Sequence, residues 1–257
     1  MGKVYLIGAG PGDRELLTLK AARFLASANV VLHDALVSRE ILQQISPIAN
    51  VVDVGKRYRK KLLTQDEINA LLVTYAASHE VVVRLKGGDP SIFGRASEEL
   101  EALRKAKVEF EIVPGVTAAL SAAAAAGISL TDRRVASQVL LTTFSRGADG
   151  NAMEWGCLTP ATTLVLYMPG PDYAEVSRQL VEAGLPVDLP CTIVSDIAGA
   201  QQQVRATSVG ALATEEKLPA PALMIVGRVA TQQVRETADA FWRGEAVESG
   251  ARRISVS

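Results

Sequence analysis

Short apolar runs alternate along this chain with stretches of helical periodicity, the pattern of an α/β architecture. Residues 4–7 read as a buried strand that ends in glycine-rich sequence, after which Leu17, Ala21, Phe24 and Leu25 recur at helical spacing. Residues 30–32 and 51–54 predict a second and a third strand. Thr64 and Glu67 have capping-box spacing, and Ile68, Leu71, Leu72 and Tyr75 form one apolar stripe behind them. Residues 81–85 predict a strand running into Lys86-Gly87-Gly88-Asp89-Pro90, followed by a helix through Glu98 to Lys105 and a strand at residues 109–113.

A second half follows. Residues 117–126 predict a small-residue helix that Thr117 can cap and Gly127 closes. Strands are expected at residues 139–143, 163–167, 191–194 and 222–226. Asp172 and Glu175 start a helix that Gly184 and Pro186 stop. Strand alternation gives way to the alanine helix near residues 114–117, which predicts lobes at residues 1–114 and 115–240. Residues 241–257 are polar, rich in Ala, Gly and Ser, and read as a mobile tail.

Bulk properties narrow the chemistry. The chain has 257 residues and a net charge of -1, so it is no general polyanion binder and any basic site is local. Aromatics are 5%, too sparse for a platform stacking nucleic-acid bases. Cys157 and Cys191, with His33 and His79, make neither a disulfide framework nor a metal site. No run approaches the roughly 20 apolar residues that span a bilayer, and the first apolar run is too short for a signal peptide. A reducing, cytoplasmic setting is therefore expected, with no metal, nucleic-acid or membrane partner.

Several stretches carry candidate chemistry. Gly8-Ala9-Gly10-Pro11-Gly12-Asp13 follows a strand, but Asp13 replaces the sixth-position glycine of a dinucleotide fingerprint and Pro11 lacks an N–H. It reads equally as a ligand-facing loop or a tight turn. Asp34 ends the second strand, where it could bind a ligand or cap the next helix, and His33 beside it reads as structural. Residues 55–61 hold five cations (Lys56, Arg57, Arg59, Lys60 and Lys61), suited either to a polyanion or to solvent. The stretch from Arg84 to Arg95 brings two glycines and Asp89 to a strand end, a loop too elaborate for a plain turn. Thr117 with Ala118, and Met168 after Tyr167, are consistent with either ligand contact or ordinary packing.

Together these stretches resemble the uroporphyrinogen-III C-methyltransferases, within the tetrapyrrole methylase superfamily. The matching segments are VYLIGAGPGDRELLTLKA, VVLHDALVS, VGKR, RLKGGDPSIFGR, VPGVTAA and YM, in that order over the first 170 or so residues. The resemblance implies a fold of two α/β lobes with a ligand cleft between them, a homodimer, and S-adenosylmethionine as cofactor with S-adenosylhomocysteine as product. It implies methylation of uroporphyrinogen III at C2 and C7, giving precorrin-2 for siroheme or cobalamin. By position, Pro11, Gly87, Gly88, Asp89, Ile92, Thr117, Ala118 and Met168 would line the cofactor site. Asp34 and Lys56 would be acid/base groups, and Arg95 would clamp a substrate carboxylate. Departures occur at Thr143-Phe144-Ser145-Arg146, where Thr-Gly-His is frequent, at Ala96, and at Ile197, where the family often has glycine. The chain begins almost at its first strand, so it reads as a stand-alone methyltransferase. Alternatives are a later precorrin methyltransferase, a nicotinamide-dependent oxidoreductase and a non-catalytic ligand sensor. The broken fingerprint weighs against the oxidoreductase.

Overall fold

A computed structural model describes residues 2–55, 63–144, 155 and 158–231. It contains two five-stranded sheets. The first comprises β1 (Lys3–Gly8), β2 (Val30–His33), β3 (Asn50–Asp53), β4 (Val81–Lys86) and β5 (Glu109–Val113), in the order β3-β2-β4-β1-β5. All its pairings are parallel. Both faces are covered, which is why its central strands are continuous apolar runs rather than alternations. Val4, Leu6, Val30, Leu32 and Val82 face α3 (Gln65–Ser78) and α4 (Ala96–Lys105). Ile7, Val31, Val83 and Leu85 face α1 (Leu19–Ser27) and α2 (Arg39–Leu42). The expected capping box is present: the Glu67 amide donates to Thr64 Oγ1 at 3.2 Å and the Thr64 amide to Glu67 Oε2 at 2.7 Å.

The second sheet has the order β6-β7-β10-β8-β9, from β6 (Gln138–Thr143), β7 (Thr162–Tyr167), β8 (Pro190–Ser195), β9 (Gln203–Ser208) and β10 (Ala222–Val226). Only β6 and β7 pair in parallel. The alanine helix α5 (Ala118–Ala125) packs Ala119, Ala122 and Ala123 on one face, against Val165, Val194, Leu223 and Ile225. On the other, α6 (Tyr173–Glu182) packs Tyr173, Val176 and Leu180 against Leu164, Leu166, Ile193 and Met224. Strand β9 was not expected. It is polar (QVRATS) and lies at the sheet edge, where one side needs no apolar cover.

One expected cap is corrected, and one capping alternative is not taken up. Thr117 precedes α5 but makes no side-chain cap. Its hydroxyl lies 2.6 Å from Tyr167 Oη, which itself accepts from the Ala119 amide at 3.0 Å. A tyrosine from β7 thus does the work expected of the threonine. Asp34 caps nothing either, because Ser38 Oγ accepts from the Ile41 amide at 3.3 Å and starts α2. Among the described residues, no helix is long and apolar enough to cross a membrane.

Candidate functional site

A parallel sheet puts every strand's carboxyl end on one rim, and there the glycine-rich loops meet. The Gly10 amide donates to the Gly88 carbonyl at 3.1 Å, and Gly88 returns a bond to Gly10 at 2.8 Å. Both sit at positive φ, +69° and +66°. Gly8 and Gly115 complete a contact of bare backbones. A Cβ on Gly8 would lie 2.6 Å from Gly115 Cα, and one on Gly115 would lie 2.4 Å from the Gly88 carbonyl oxygen. Glycine is required at both positions because the neighbouring atoms are backbone, which cannot move aside.

Asp89 locks this arrangement. Its Oδ2 accepts from the Gly115 amide at 3.0 Å, and Oδ1 accepts from the Ser91 amide at 2.8 Å and from Ser91 Oγ. The carboxylate therefore joins the β4 loop to the segment leading into α5. Over Gly88 the space is free: an added Cβ would meet nothing nearer than Ala118 N at 3.9 Å. Thr117 and Ala118 border that space. Pro11 is half-buried in the first loop, whose Gly12 carbonyl accepts from Ser38 Oγ at 2.5 Å. Ile92 is half-buried beside Asp89, and its amide bonds the Asp89 carbonyl at 3.2 Å.

From the second sheet, Met168 follows β7 at φ +48° and is half-exposed. Tyr167 meets Phe93 of the β4 loop, ring centroids 5.0 Å apart, so the two rims touch there. Ile197 follows β8, and its carbonyl lies 4.0 Å from where a Gly12 Cβ would stand. Pro11, Gly87, Gly88, Asp89, Thr117, Ala118 and Met168 thus all fall on these two rims. An open apolar groove of about 650 Å³ is lined by α5 and β6, with Leu120 and Val139 among its walls, and includes Thr117.

Asp34 extends the β2 ladder through its amide to the Leu85 carbonyl at 3.1 Å. Its carboxylate, about one-third exposed, pairs with Arg84 Nη2. Arg84 is 2% exposed and reaches Glu99 through Nε at 2.9 Å. Glu99 also receives both bonds of Lys86 Nζ, at 3.0 Å each. Burial pushes the Lys86 ammonium below its ordinary value, with Arg84 adding to the effect. Burial works against Arg84 too, but Glu99 and Asp34 more than offset it and raise its pKa. Arg84, Lys86 and Glu99 were not among the residues expected at the site. The available signal was two cations at alternate positions of an otherwise apolar strand.

His33 is buried, its Nδ1 3.0 Å from the Asp34 carbonyl, in keeping with a structural part. Arg95 begins α4 in the left-handed region at φ +54° and forks onto Glu98, with Nε to Oε1 at 2.7 Å and Nη2 to Oε2 at 2.6 Å. Both side chains are about half exposed, and so exposed a pair contributes little and is readily exchanged for another carboxylate. Lys56 lies outside the described residues, as do the other cations of residues 56–61.

The family model for tetrapyrrole (corrin/porphyrin) methylases matches residues 3–213. The chain belongs to that family. It is 46% identical over 235 residues to a uroporphyrinogen-III C-methyltransferase of Paracoccus denitrificans, covering 90% of this chain and 82% of that protein. It is 45% identical over 251 residues to a siroheme synthase of Actinobacillus pleuropneumoniae, covering 96% of this chain but 51% of the relative. The chain thus spans about half the length of the siroheme synthases it matches. The crystal structure of the Thermus thermophilus uroporphyrin-III C-methyltransferase complexed with S-adenosylhomocysteine superimposes with a TM-score of 0.77. That pair shares 36% identity, over 89% of this chain and 98% of the other.

Proposed function

We propose that this tetrapyrrole methylase transfers methyl groups from S-adenosylmethionine to C2 and C7 of uroporphyrinogen III, giving precorrin-2 for siroheme or cobalamin. The observation that carries the reading is the shared rim, a cradle of bare backbone at Gly10, Gly88 and Gly115, with the Asp34 carboxylate at the end of β2, the strand next to β4. The name of the Paracoccus relative and the ligand of the Thermus structure support it. We read the halves as lobes meeting at residues 114–115, and the molecule as a cytoplasmic homodimer; residues 241–257, expected as a tail, lie outside the described residues.

The residues present fit the cofactor. The free space over Gly88, which a Cβ would fill, lies between loops able to offer backbone N–H and C=O groups. Pro11, Gly87, Gly88, Asp89, Ile92, Thr117, Ala118 and Met168 would hold it. Bound there, S-adenosylmethionine supplies a methyl carbon already activated on a sulfonium, so the protein's tasks are alignment and exclusion of water. Asp34 orients the pyrrole N–H groups and takes up the proton released as the ring carbon is alkylated. Arg95, freed from Glu98, neutralises a substrate carboxylate, and Lys56 serves as the second acid/base group.

Anaerobic incubation with uroporphyrinogen III and methyl-labelled S-adenosylmethionine, read by mass spectrometry, tests this. A tetrapyrrole heavier by two methyl groups is expected. Absence of transfer by a protein that binds the cofactor would overturn the substrate assignment. Asp34→Asn should keep cofactor affinity in calorimetry while turnover falls about a hundredfold. Unchanged turnover would remove Asp34 from the mechanism.

A further inference from the structure

Strand β4 buries two cations on one face. Residues alternate across a strand, so Arg84 and Lys86 share the side of Val82, beneath α4. Asp34 shares that side, two residues beyond Leu32, which pairs with Arg84 in register. Glu99 descends from α4 with 0% exposure and sits between the two cations. Lys86, Glu99, Arg84 and Asp34 thus form a line of alternating charge that sums to zero, and Asp34 is the member that reaches solvent.

Each nitrogen of Arg84 has a partner. Nε binds Glu99 at 2.9 Å, Nη1 faces the Leu85 carbonyl at 3.2 Å and the Leu32 carbonyl at 3.4 Å, and Nη2 holds Asp34. A planar fork bound along all its edges cannot turn, so it fixes whatever its outer nitrogen holds. The Gln65 amide adds a bond to Glu99 at 3.3 Å. As a stabilising device this cluster is poor: apolar residues filling such a volume are often as stable or more so, because burying charge is expensive. A cluster that ends on an exposed carboxylate at a ligand-facing rim is better understood by what it does to that carboxylate.

We propose that Glu99 is a positioning residue for Asp34: it anchors the Arg84 fork, while Lys86 balances its charge. The inference rests on the reading of Asp34 as the acid/base group of the proposed methyl transfer. Glu99 touches neither substrate nor cofactor, and its influence reaches the reaction through the orientation of one carboxylate. Lysine in place of Arg84 would keep the charge but lose the fork.

The test is a double-mutant cycle on the full chain: wild type, D34N, E99Q and D34N/E99Q. Turnover is counted with methyl-labelled cofactor, with KM for uroporphyrinogen III, S-adenosylmethionine affinity by calorimetry and thermal midpoint alongside. E99Q should lower kcat about tenfold while KM and cofactor affinity stay within about twofold, and R84K should do likewise. In the D34N background, E99Q should have almost no further effect, because groups acting as a unit are non-additive. A structural role alone would lower both backgrounds by the same factor and overturn the proposal, as would unchanged kcat in E99Q. Wild-type turnover in D34N would instead sink the reading of Asp34 on which the proposal stands. If E99Q does not fold, the charge-balanced K86M/E99Q replaces it in the cycle under the same criteria.

Discussion

The first sheet sends all five strands in one direction, whereas in the second β6, β7 and β8 run one way and β9 and β10 the other. The consequence is visible at the facing rims. In the first lobe, left-handed turns directly off β1 and β4 are made by Gly10, Gly12 and Gly88, and the surface they present is backbone. In the second, the corresponding turns off β7 and β8 are made by Met168, Asp196 and Ala198, at φ +48°, +47° and +59°. A side chain there costs roughly 1–2 kcal/mol relative to glycine. Elsewhere among the described residues the same expense falls on Phe93 and Arg95, further along the β4 loop, and on Lys107 after α4. The difference teaches a division of labour: one rim offers polar backbone atoms at close range, and the other offers side-chain walls.

The comparison can be broken most forcefully at the backbone contact. Gly115→Ala puts a Cβ 2.4 Å from the Gly88 carbonyl oxygen and 2.8 Å from Gly8 Cα. A loss of about 3 kcal/mol or failure to fold is expected, read by thermal or denaturant unfolding. Gly170→Ala makes the contrast: φ there is +74° but nothing lies within 4 Å of the new Cβ, so only the backbone strain of about 1 kcal/mol should appear. Equal losses would show that φ, and not close approach, governs the glycines. Gly88→Val should fold less stably and lose most S-adenosylmethionine affinity in calorimetry, since the branched side chain enters the free space. Normal affinity would move the cofactor elsewhere. On the opposing wall, Tyr167→Phe removes the hydroxyl that receives the Ala119 amide and meets Thr117. A thermal shift equivalent to about 1 kcal/mol is expected, and none would show that the helix end is satisfied otherwise.

The smallest effect lies far from the rims. Lys20 and Lys3 hold the Glu111 carboxyl down at about 2, and Lys3 is raised in turn. A depressed carboxylate contributes stability that is present above its ordinary value near 4.5 and lost as pH falls from there toward 2. Because the cluster is partly exposed, the contribution should be below about 1 kcal/mol. The thermal midpoints of wild type and Glu111→Gln should converge as pH drops through that window; a constant gap would show that Glu111 acts otherwise.

Much of this architecture was legible in the chain because local signals agreed with each other. Apolar runs marked nine of the ten described strands, the Thr64–Glu67 box marked α3, and glycine loops fell where strands ended. The legible part of the site was the part written locally: two glycines and a carboxylate in succession announce a turn with exposed backbone. What could not be read was contact between distant segments. Asp34 and Arg84 are 50 residues apart, and Thr117 and Tyr167 equally so. The expected Thr117 cap failed and the capping alternative for Asp34 went unused for this reason, since a short polar side chain takes the nearest strong partner in space, whereas Thr64 and Asp172 cap as expected. Strand β9 was missed because an edge strand needs little apolar cover to keep its place.

The bare-backbone floor also bears on the thermodynamics of capture. Ordering a side chain on binding costs about 0.5–1.5 kcal/mol, and peptide units already fixed between paired strands have no rotamers left to surrender. Under the proposed placement of the cofactor over Gly10, Gly88 and Gly115, that entropic loss was settled when the chain folded. The remaining disorder to be removed belongs to the rim side chains such as Leu36, Phe93 and Met168, each substantially exposed. A calorimetric series truncating these three should therefore shift the entropy of association, while the affinity set by the glycine floor persists.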